Sequence, residues 1–308
     1  VRSRWFLVLL LAVVGGNRVT AAPARPAITG VSHIAVYTST PQAAERFYVH
    51  DLGATKGSDP EADQGTRYYF STTQYVEVLP LPHLNTSIQR LDHVAFVTAD
   101  AEGLRRYLGA SGVTVPAAVH TASDSRWFEV RDPEGNHIQF VEPGAYPAPQ
   151  PSRNAISHHI IHVGFIVHDR AREDGFFRTV LGFRPYWYGG NEAHDPTWIS
   201  QQVPDGSDWL EYMLVTPVAG RGIPAGMSQS LLGVLNHFSL GIANMEAAYT
   251  LLWNGNRLTG QDGTPKIGRD AKWQLNLHDP DGTRAELMEL HAIGTPCCSP
   301  FTAPDPVR

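Results

Sequence analysis

Four stretches of the chain alternate in the same way: VSHIAVYT (31–38), LDHVAFVT (91–98), IIHVGFIV (160–167) and LNHFSLGI (235–242). Alternation with a period of two predicts β-strands. One face of each strand is apolar: Ile34/Val36, Val94/Phe96, Val163/Phe165 and Phe238/Leu240. The other face carries a histidine and, two residues on, a small residue: His33/Ala35, His93/Ala95, His162/Gly164 and His237/Ser239. A packed face would carry bulk at the small positions. The polar face therefore predicts a cleft with room for something else.

The four histidines are 60, 69 and 75 residues apart. A period that long implies a module of several elements rather than a solenoid repeat. After the strand comes a helical segment. Thr40-Pro41 and Asp169 suit helix starts, and Leu52-Gly53 and Leu181-Gly182 suit helix ends. Weaker strand-like stretches follow. Turns at Asp132-Pro133-Glu134-Gly135, Pro204-Asp205-Gly206 and Asp279-Pro280-Asp281-Gly282 precede the last strands. Each module thus reads β-α-β-β-β. The Pro-rich stretch 143–152 predicts a boundary between an N-terminal module pair (28–146) and a C-terminal pair (157–293), with a loose tail at 294–308.

Composition adds limits. The 308 residues are 42% apolar and 18% charged, enough for a sizeable core. The net charge is −6 and no basic stripe is visible, which argues against nucleic acid as a partner. Residues 1–22 differ from the rest: Arg2 and Arg4, an apolar run over 5–14, then Thr20-Ala21-Ala22. That order is the one expected of a secretory signal, with a buried N-terminal strand or helix and a retained anchor as alternatives, and the run is too short to span a bilayer. The expected product is extracytoplasmic, periplasmic or secreted, without a stable membrane span. Residues 1–22 hold three Arg and no acid, so its charge would be −6 − 3 = −9. Cys297 and Cys298 are adjacent and make no disulfide framework. They read as a pair in a Pro-rich tail, with a vicinal disulfide or an intermolecular link as alternatives.

The histidine strands, the segment FFRTVLGF (176–183) and the two Asp-Pro-acid-Gly turns resemble the vicinal oxygen chelate superfamily. That group includes glyoxalase I, bleomycin- and fosfomycin-resistance proteins and extradiol ring-cleavage dioxygenases. The resemblance covers nearly all of residues 28–292. It implies an α+β fold of four βαβββ modules, paired into two half-open mixed-sheet barrels, each around a cleft. It also implies metal ligands on the first and last strands of paired modules. The last-strand ligand then falls four residues after the turn glycine, at Glu286 in module four and Gln139 in module two. Glu211 lies one residue further from Gly206, and Glu77 is assigned by likeness of Tyr75-Val76-Glu77-Val78 to the other last strands.

The C-terminal half therefore offers His162, Glu211, His237 and Glu286, donors that suit Fe(II), Mn(II), Zn(II) or Ni(II). With His162, His237 and Glu286 alone the set resembles an extradiol dioxygenase; with Glu211 added it resembles bacterial glyoxalase I. The N-terminal half offers a second possible metal site at His33, Glu77, His93 and Gln139, weakened by the glutamine. In four-module extradiol enzymes the N-terminal pair usually lacks metal, so the retained histidines depart from the pattern. Trp187, Tyr188, Trp198 and Trp209 are candidate walls for an aromatic substrate, with core packing an equally good account. His194 and His278 are weak candidates for a proton carrier. Two further departures stand out: Asn276 where ring-cleavage enzymes place a tyrosine, and Arg269-Asp270 where an Arg-His pair is expected.

The expected function is an exported, metal-dependent enzyme, Fe(II) favoured, acting on a small substrate with vicinal oxygens by ring cleavage. A glyoxalase-like lyase or isomerase is the first alternative, although export separates it from cytosolic thiol adducts. A non-catalytic protein that sequesters a small molecule is the second. Pairing of modules within one chain and pairing across a homodimer both stay open.

Overall fold

The computed structural model describes residues 24–82, 89–122, 125–144, 148–192, 194–215, 228–260 and 262–307. The signal segment, 1–22, lies outside the described residues. Module one comprises β1 (Ile28–Thr38), α1 (Pro41–Glu45), β2 (Thr55–Ser58), β3 (Thr66–Tyr69) and β4 (Tyr75–Pro80). Module two comprises β5 (Leu91–Thr98), α2 (Ala101–Ala110), β6 (His120–Ala122), β7 (Ser125–Arg131) and β8 (His137–Glu142). Module three comprises β9 (Ile160–Val167), α3 (Arg170–Asp174), β10 (Arg184–Gly189), β11 (Trp198–Gln202) and β12 (Trp209–Leu214). A helix the pattern did not announce, α4 (Gln229–Leu235), then leads into module four. That module comprises β13 (His237–Ile242), α5 (Met245–Asn254), β14 (Lys266–Ile267), β15 (Trp273–His278) and β16 (Arg284–Glu289).

The helix starts follow the expected chemistry. Asp169 accepts the Arg172 N–H at 3.1 Å, while α1 begins on Pro41 without a side-chain cap. Both α1 and α3 widen into a π-helical turn, Arg46–Asp51 and Gly175–Val180, which buries Phe47 and Tyr48 in one and Phe176 and Phe177 in the other.

The strands form two eight-stranded sheets, ordered β2-β3-β4-β1-β5-β8-β7-β6 and β10-β11-β12-β9-β13-β16-β15-β14. Each curls into a half-barrel. In each sheet the two first strands of the paired modules run antiparallel at the centre, and each is flanked by the parallel last strand of its own module. The modules therefore pair within the chain.

The apolar strand faces make one core. Ile34, Val36, Val94, Phe96, Val163, Phe165, Phe238 and Leu240 belong to a single buried cluster that spans both halves. Ring contacts cross between them: Phe96 with Phe183 at 5.2 Å, and Phe70 with Phe238 at 6.2 Å. The two Asp-Pro-acid-Gly turns brace the same junction. Their first aspartates, Asp132 and Asp279, accept N–H bonds within the turn. Their second acids reach across. Glu134 accepts the His168 and Asp169 N–H groups at 2.7 and 2.6 Å, and Asp281 accepts the Ser39 N–H at 2.9 Å and the Thr38 hydroxyl at 2.7 Å.

The tail is not loose, contrary to expectation. Asp305 takes the Lys272 ammonium at 2.6 Å and the Tyr186 hydroxyl, and the Thr302 N–H donates to the Tyr186 carbonyl at 3.0 Å. Proline and glycine composition hid these contacts, because they depend on groups of module three and module four far away in sequence. Cys297 and Cys298 are bonded to each other within this docked segment. No helix among the described residues is long and apolar enough to cross a membrane.

Candidate metal centre

Register turns the four histidine strands into two matching grids. In the N-terminal sheet one row across β4, β1, β5 and β8 reads Glu77, Ala35, His93, His137, and the next reads Tyr75, His33, Ala95, Gln139. In the C-terminal sheet the corresponding rows across β12, β9, β13 and β16 read Glu211, Gly164, His237, Arg284 and Trp209, His162, Ser239, Glu286. Glu211 and Glu77 are thus equivalent, as are Glu286 and Gln139.

The small residues have a different use from the one their alternation suggested. Each lies opposite the paired module's histidine, so the room beside one imidazole is occupied by the other. At Gly164 the fit is closest: a Cβ there would stand 2.2 Å from His237 Cε1. The histidine pairs face each other through Nε2, at 3.1 Å for His162 and His237 and 2.9 Å for His33 and His93. A ring stacks behind each first-strand histidine, Trp209 on His162 at 4.6 Å and Tyr75 on His33 at 4.4 Å.

In the C-terminal site His237 Nδ1 donates to the Leu235 carbonyl at 3.0 Å, which leaves the Nε2 lone pair facing inward. Glu286 Oε2 lies 3.4 Å from His162 Nε2, and Glu211 Oε2 lies 3.3 Å from His237 Nε2. Donor atoms of His162, Glu211 and His237 all fall within 4.8 Å of one another, close enough to share one ion. All four candidate residues are brought together, with carboxylates on opposite sides of the imidazole pair.

The charges are arranged to keep these donors ready. Burial opposes ionisation of Glu286, but Arg284 and the two imidazoles outweigh it and hold the carboxyl down at about 2. Burial also opposes ionisation of Glu211, and His237 and His162 keep it below the usual range. Burial and then Arg284 lower His237 to about 4, so the ring is neutral at physiological pH. Imidazole and carboxylate are the forms that bind metal. His162 Nδ1, Ser239 Oγ, Asn276 Oδ1 and Arg284 Nε are buried without hydrogen-bond partners. Buried orphans gathered around such a set fit a site meant for an ion and a polar ligand.

The set opens on a cavity of about 420 Å³ walled by Trp187, Trp198, Trp209, Met213, Met288 and Phe301, with Asp270, Lys272 and Arg284 among its polar groups. Three of the four aromatic candidates are therefore at the site. Tyr188 is not: strand alternation turns it to the other face of β10, where it lines a separate shallow cavity with Arg170, His194 and Pro196. That also removes His194 from the site. His278 ends β15 opposite Arg284 and is half-buried, and it does not line the cavity.

Two residues with no assigned role take their place. Arg284 sits two residues before Glu286 on the same strand face, a spacing that could have flagged it. Asp270, in the place expected for a histidine, is pushed up to about 7 by burial, with Glu286 and Glu211 adding to the effect. A carboxyl near neutrality in a cavity is suited to proton exchange.

In the N-terminal grid Glu77 Oε2 lies 3.4 Å from His33 Nε2 and 3.7 Å from His93 Nε2. Burial first, and then Asp59, push Glu77 up to about 10. Gln139 turns its amide N–H to Glu61 Oε2 at 2.9 Å. The cavity beside Tyr75 on this sheet is only about 70 Å³.

Residues 30–140 match the family model described as Glyoxalase/Bleomycin resistance protein/Dioxygenase superfamily. That stretch of the chain is similar to this superfamily. Solved structures extend the likeness over both halves. Homoprotocatechuate 2,3-dioxygenase from Brevibacterium fuscum, as an anaerobic complex with 3,4-dihydroxyphenylacetate, aligns with 87% of this chain and 82% of its own, at TM-score 0.64 and 15% identity. The 2,3-dioxygenase LapB from Pseudomonas sp. KL28 aligns over 86% and 93%, at TM-score 0.63 and 16% identity. A catechol 2,3-dioxygenase aligns over 91% and 92%, at TM-score 0.63 and 13% identity. At such identities the likeness shows the fold alone, over both halves, and leaves the chemistry to the site. No curated protein matches the sequence.

Proposed function

We propose that the C-terminal half is the active site of a metal-dependent enzyme acting on a small substrate with vicinal oxygens, a ring-cleavage dioxygenase of extradiol type with Fe(II) as the favoured metal. The observation that carries this reading is a buried imidazole pair whose flanking carboxylates, Glu211 and Glu286, line an aromatic-walled cavity of about 420 Å³. That volume suits one aromatic ring with its substituents.

His162 and His237 would hold the metal through Nε2, with Glu286 or Glu211 as the carboxylate ligand. The bound metal would supply a Lewis acid that grips two adjacent oxygens and stabilises charge developing on them. The remaining steps belong to the protein's own groups. Trp187, Trp198 and Trp209 wall off water and offer faces to an aromatic ring. Arg284, with its buried Nε lacking a partner, donates to an anionic oxygen of the substrate. Asp270 takes or returns a hydroxyl proton near neutral pH. A catechol with an acidic side arm matches these groups, and one dioxygenase of the same fold is seen with 3,4-dihydroxyphenylacetate.

A second reading has its own support. Glu211 closes a three-donor group with the two histidines, which leaves Glu286 as a possible base for a glyoxalase-like lyase or isomerase. The test is anaerobic loading of the purified protein with Fe(II), followed by oxygen uptake on a catechol panel that includes 3,4-dihydroxyphenylacetate. The expected result is one O2 consumed per catechol, lost in His237→Ala. Metal binding without oxygen uptake by any catechol would transfer support to the lyase reading. No bound metal, and no gain in melting temperature with Fe(II), Mn(II), Zn(II) or Ni(II), would leave a small-molecule sequestration protein. Export is a separate part of the proposal, tested by whether the extracytoplasmic product lacks residues 1–22.

A further inference from the structure

We infer that the N-terminal half holds a second divalent cation, of the borderline class of Zn(II), in a closed structural site made by His33, Glu77, His93 and Gln139. The donors match the C-terminal grid position by position, but the surroundings differ, and three observations converge on a closed cation site.

The first is a pair of orphaned atoms. Glu77 Oε2 and Gln139 Oε1 are buried without hydrogen-bond partners, in residues only 2% and 1% exposed. Gln139 spends its amide N–H on Glu61, so its carbonyl oxygen is the end left over. It lies in the same row as His33, and Glu77 in the same row as His93. A cation between the rows would give both orphans a partner. The second is the orientation of His93. Its Nδ1 pairs with Asp92 at 2.7 Å, and Asp92 also accepts the Tyr37 hydroxyl. A carboxylate behind Nδ1 leaves Nε2 as a lone-pair donor, the arrangement that supports a metal-bound imidazole.

The third is a charge deficit. Asp59, Glu61 and Glu77 bury their carboxyls around a single guanidinium, Arg67, which pairs with Asp59 at 3.1 Å and with Glu61. Ionised together, the three carboxylates and one guanidinium sum to −3 + 1 = −2, a charge that a divalent ion balances and that, without one, is relieved by protonation of Glu77. Uncompensated charge buried to this degree is strongly disfavoured. Arg67 also stacks over Tyr75 at 4.3 Å, beside the cavity of about 70 Å³. The loop carrying Asp59 and Glu61 thus fills the space that in the other half receives a ligand. Closed coordination marks a structural site, and an open position marks a catalytic one.

The inference adds to the proposed function without depending on it. The experiment uses the full chain, stripped with chelator, equilibrated with Zn(II) and freed of excess. Wild type should retain two equivalents by elemental analysis, and the near-isosteric Glu77→Gln variant one. His237→Ala should also retain one, with Zn(II) raising its melting temperature by roughly 5 °C or more. Combining Glu77→Gln with His237→Ala should abolish both the equivalent and the shift. Asp92→Asn should weaken the N-terminal ion about 10–100-fold. Should His237→Ala fail to fold, wild type against Glu77→Gln still decides by stoichiometry. The inference is overturned if Glu77→Gln keeps the wild-type stoichiometry, or if Zn(II) neither binds to nor stabilises folded His237→Ala. Loss of the C-terminal equivalent alone would count against the proposed function and not against this site.

Discussion

Replacing Gly164 by alanine tests the whole construction of the C-terminal site with one carbon atom. The added Cβ would lie 2.2 Å from His237 Cε1 and 2.8 Å from both ring nitrogens. Ordinary contact begins near 3.4 Å, so ring and strand must separate by at least 3.4 − 2.2 = 1.2 Å. Metal sites tolerate about 0.2 Å of error in ligand distance. The displacement is roughly six times that, so Gly164→Ala should remove His237 as a ligand. The chain itself should survive, because overpacking of this kind costs about 1–3 kcal/mol.

The assay is competition between the protein and a chelating dye for Zn(II), with circular dichroism to confirm folding. Gly294→Ala, where a Cβ meets nothing within 4 Å, is the control. The C-terminal affinity should fall more than the about 10–100-fold that loss of an outer-shell partner costs. Binding within twofold of the control would refute the reasoning, since it would mean that the His237 ring can leave Gly164 without leaving the site.

Three further outcomes follow from the charges. His237 sits at about 4 in the folded protein against 6.5 in the unfolded chain, so acid favours unfolding. The stability it protects is complete above pH 6.5 and is lost as the pH falls towards 4. The gap between about 4 and 6.5 corresponds to about 3 kcal/mol. Urea melts of chelator-treated protein should show this slope, and an unchanged slope in His237→Gln would sink the assignment. Arg284→Gln should raise KM about tenfold more for an acid-bearing catechol than for an uncharged one; equal effects on both would exclude a substrate contact. Asp305→Ala strands the ammonium of Lys272, whose side chain is 1% exposed, at a cost of about 3 kcal/mol. A melting temperature within 2 °C of wild type would show that the tail does not anchor Lys272.

Much of this is legible in the sequence. Period-two alternation placed the four histidine strands, because each buries one face and exposes the other to a half-barrel interior. The Asp-Pro-acid-Gly turns place the last strands, and the family resemblance then points to Glu286 and Gln139. What could not be read was whatever depends on register between distant strands. Gly164 looked like spare room, yet it seats His237, which is visible only once β9 and β13 are paired. Tyr188 and Trp187 are adjacent in sequence and belong to opposite faces of β10. The same limit hid the docked tail, whose aspartate meets a lysine from module four and a tyrosine from module three.

The two grids share geometry and diverge in what surrounds it. Both oppose two imidazoles through Nε2, and both set a side chain from a last strand on either side. In the C-terminal half the position after His237 in its row is Arg284, a fixed cation that keeps Glu286 ionised and His237 neutral without any loop closing over them. In the N-terminal half the equivalent position is His137, partly exposed and turned towards Glu129. The compensating cation there is Arg67, which comes from β3 and draws Asp59 and Glu61 in with it. Placing the counter-charge on the last strand leaves a cavity in front of the ligands; placing it on β3 fills that cavity. The difference between an open site and a closed one therefore follows from where each half keeps its arginine.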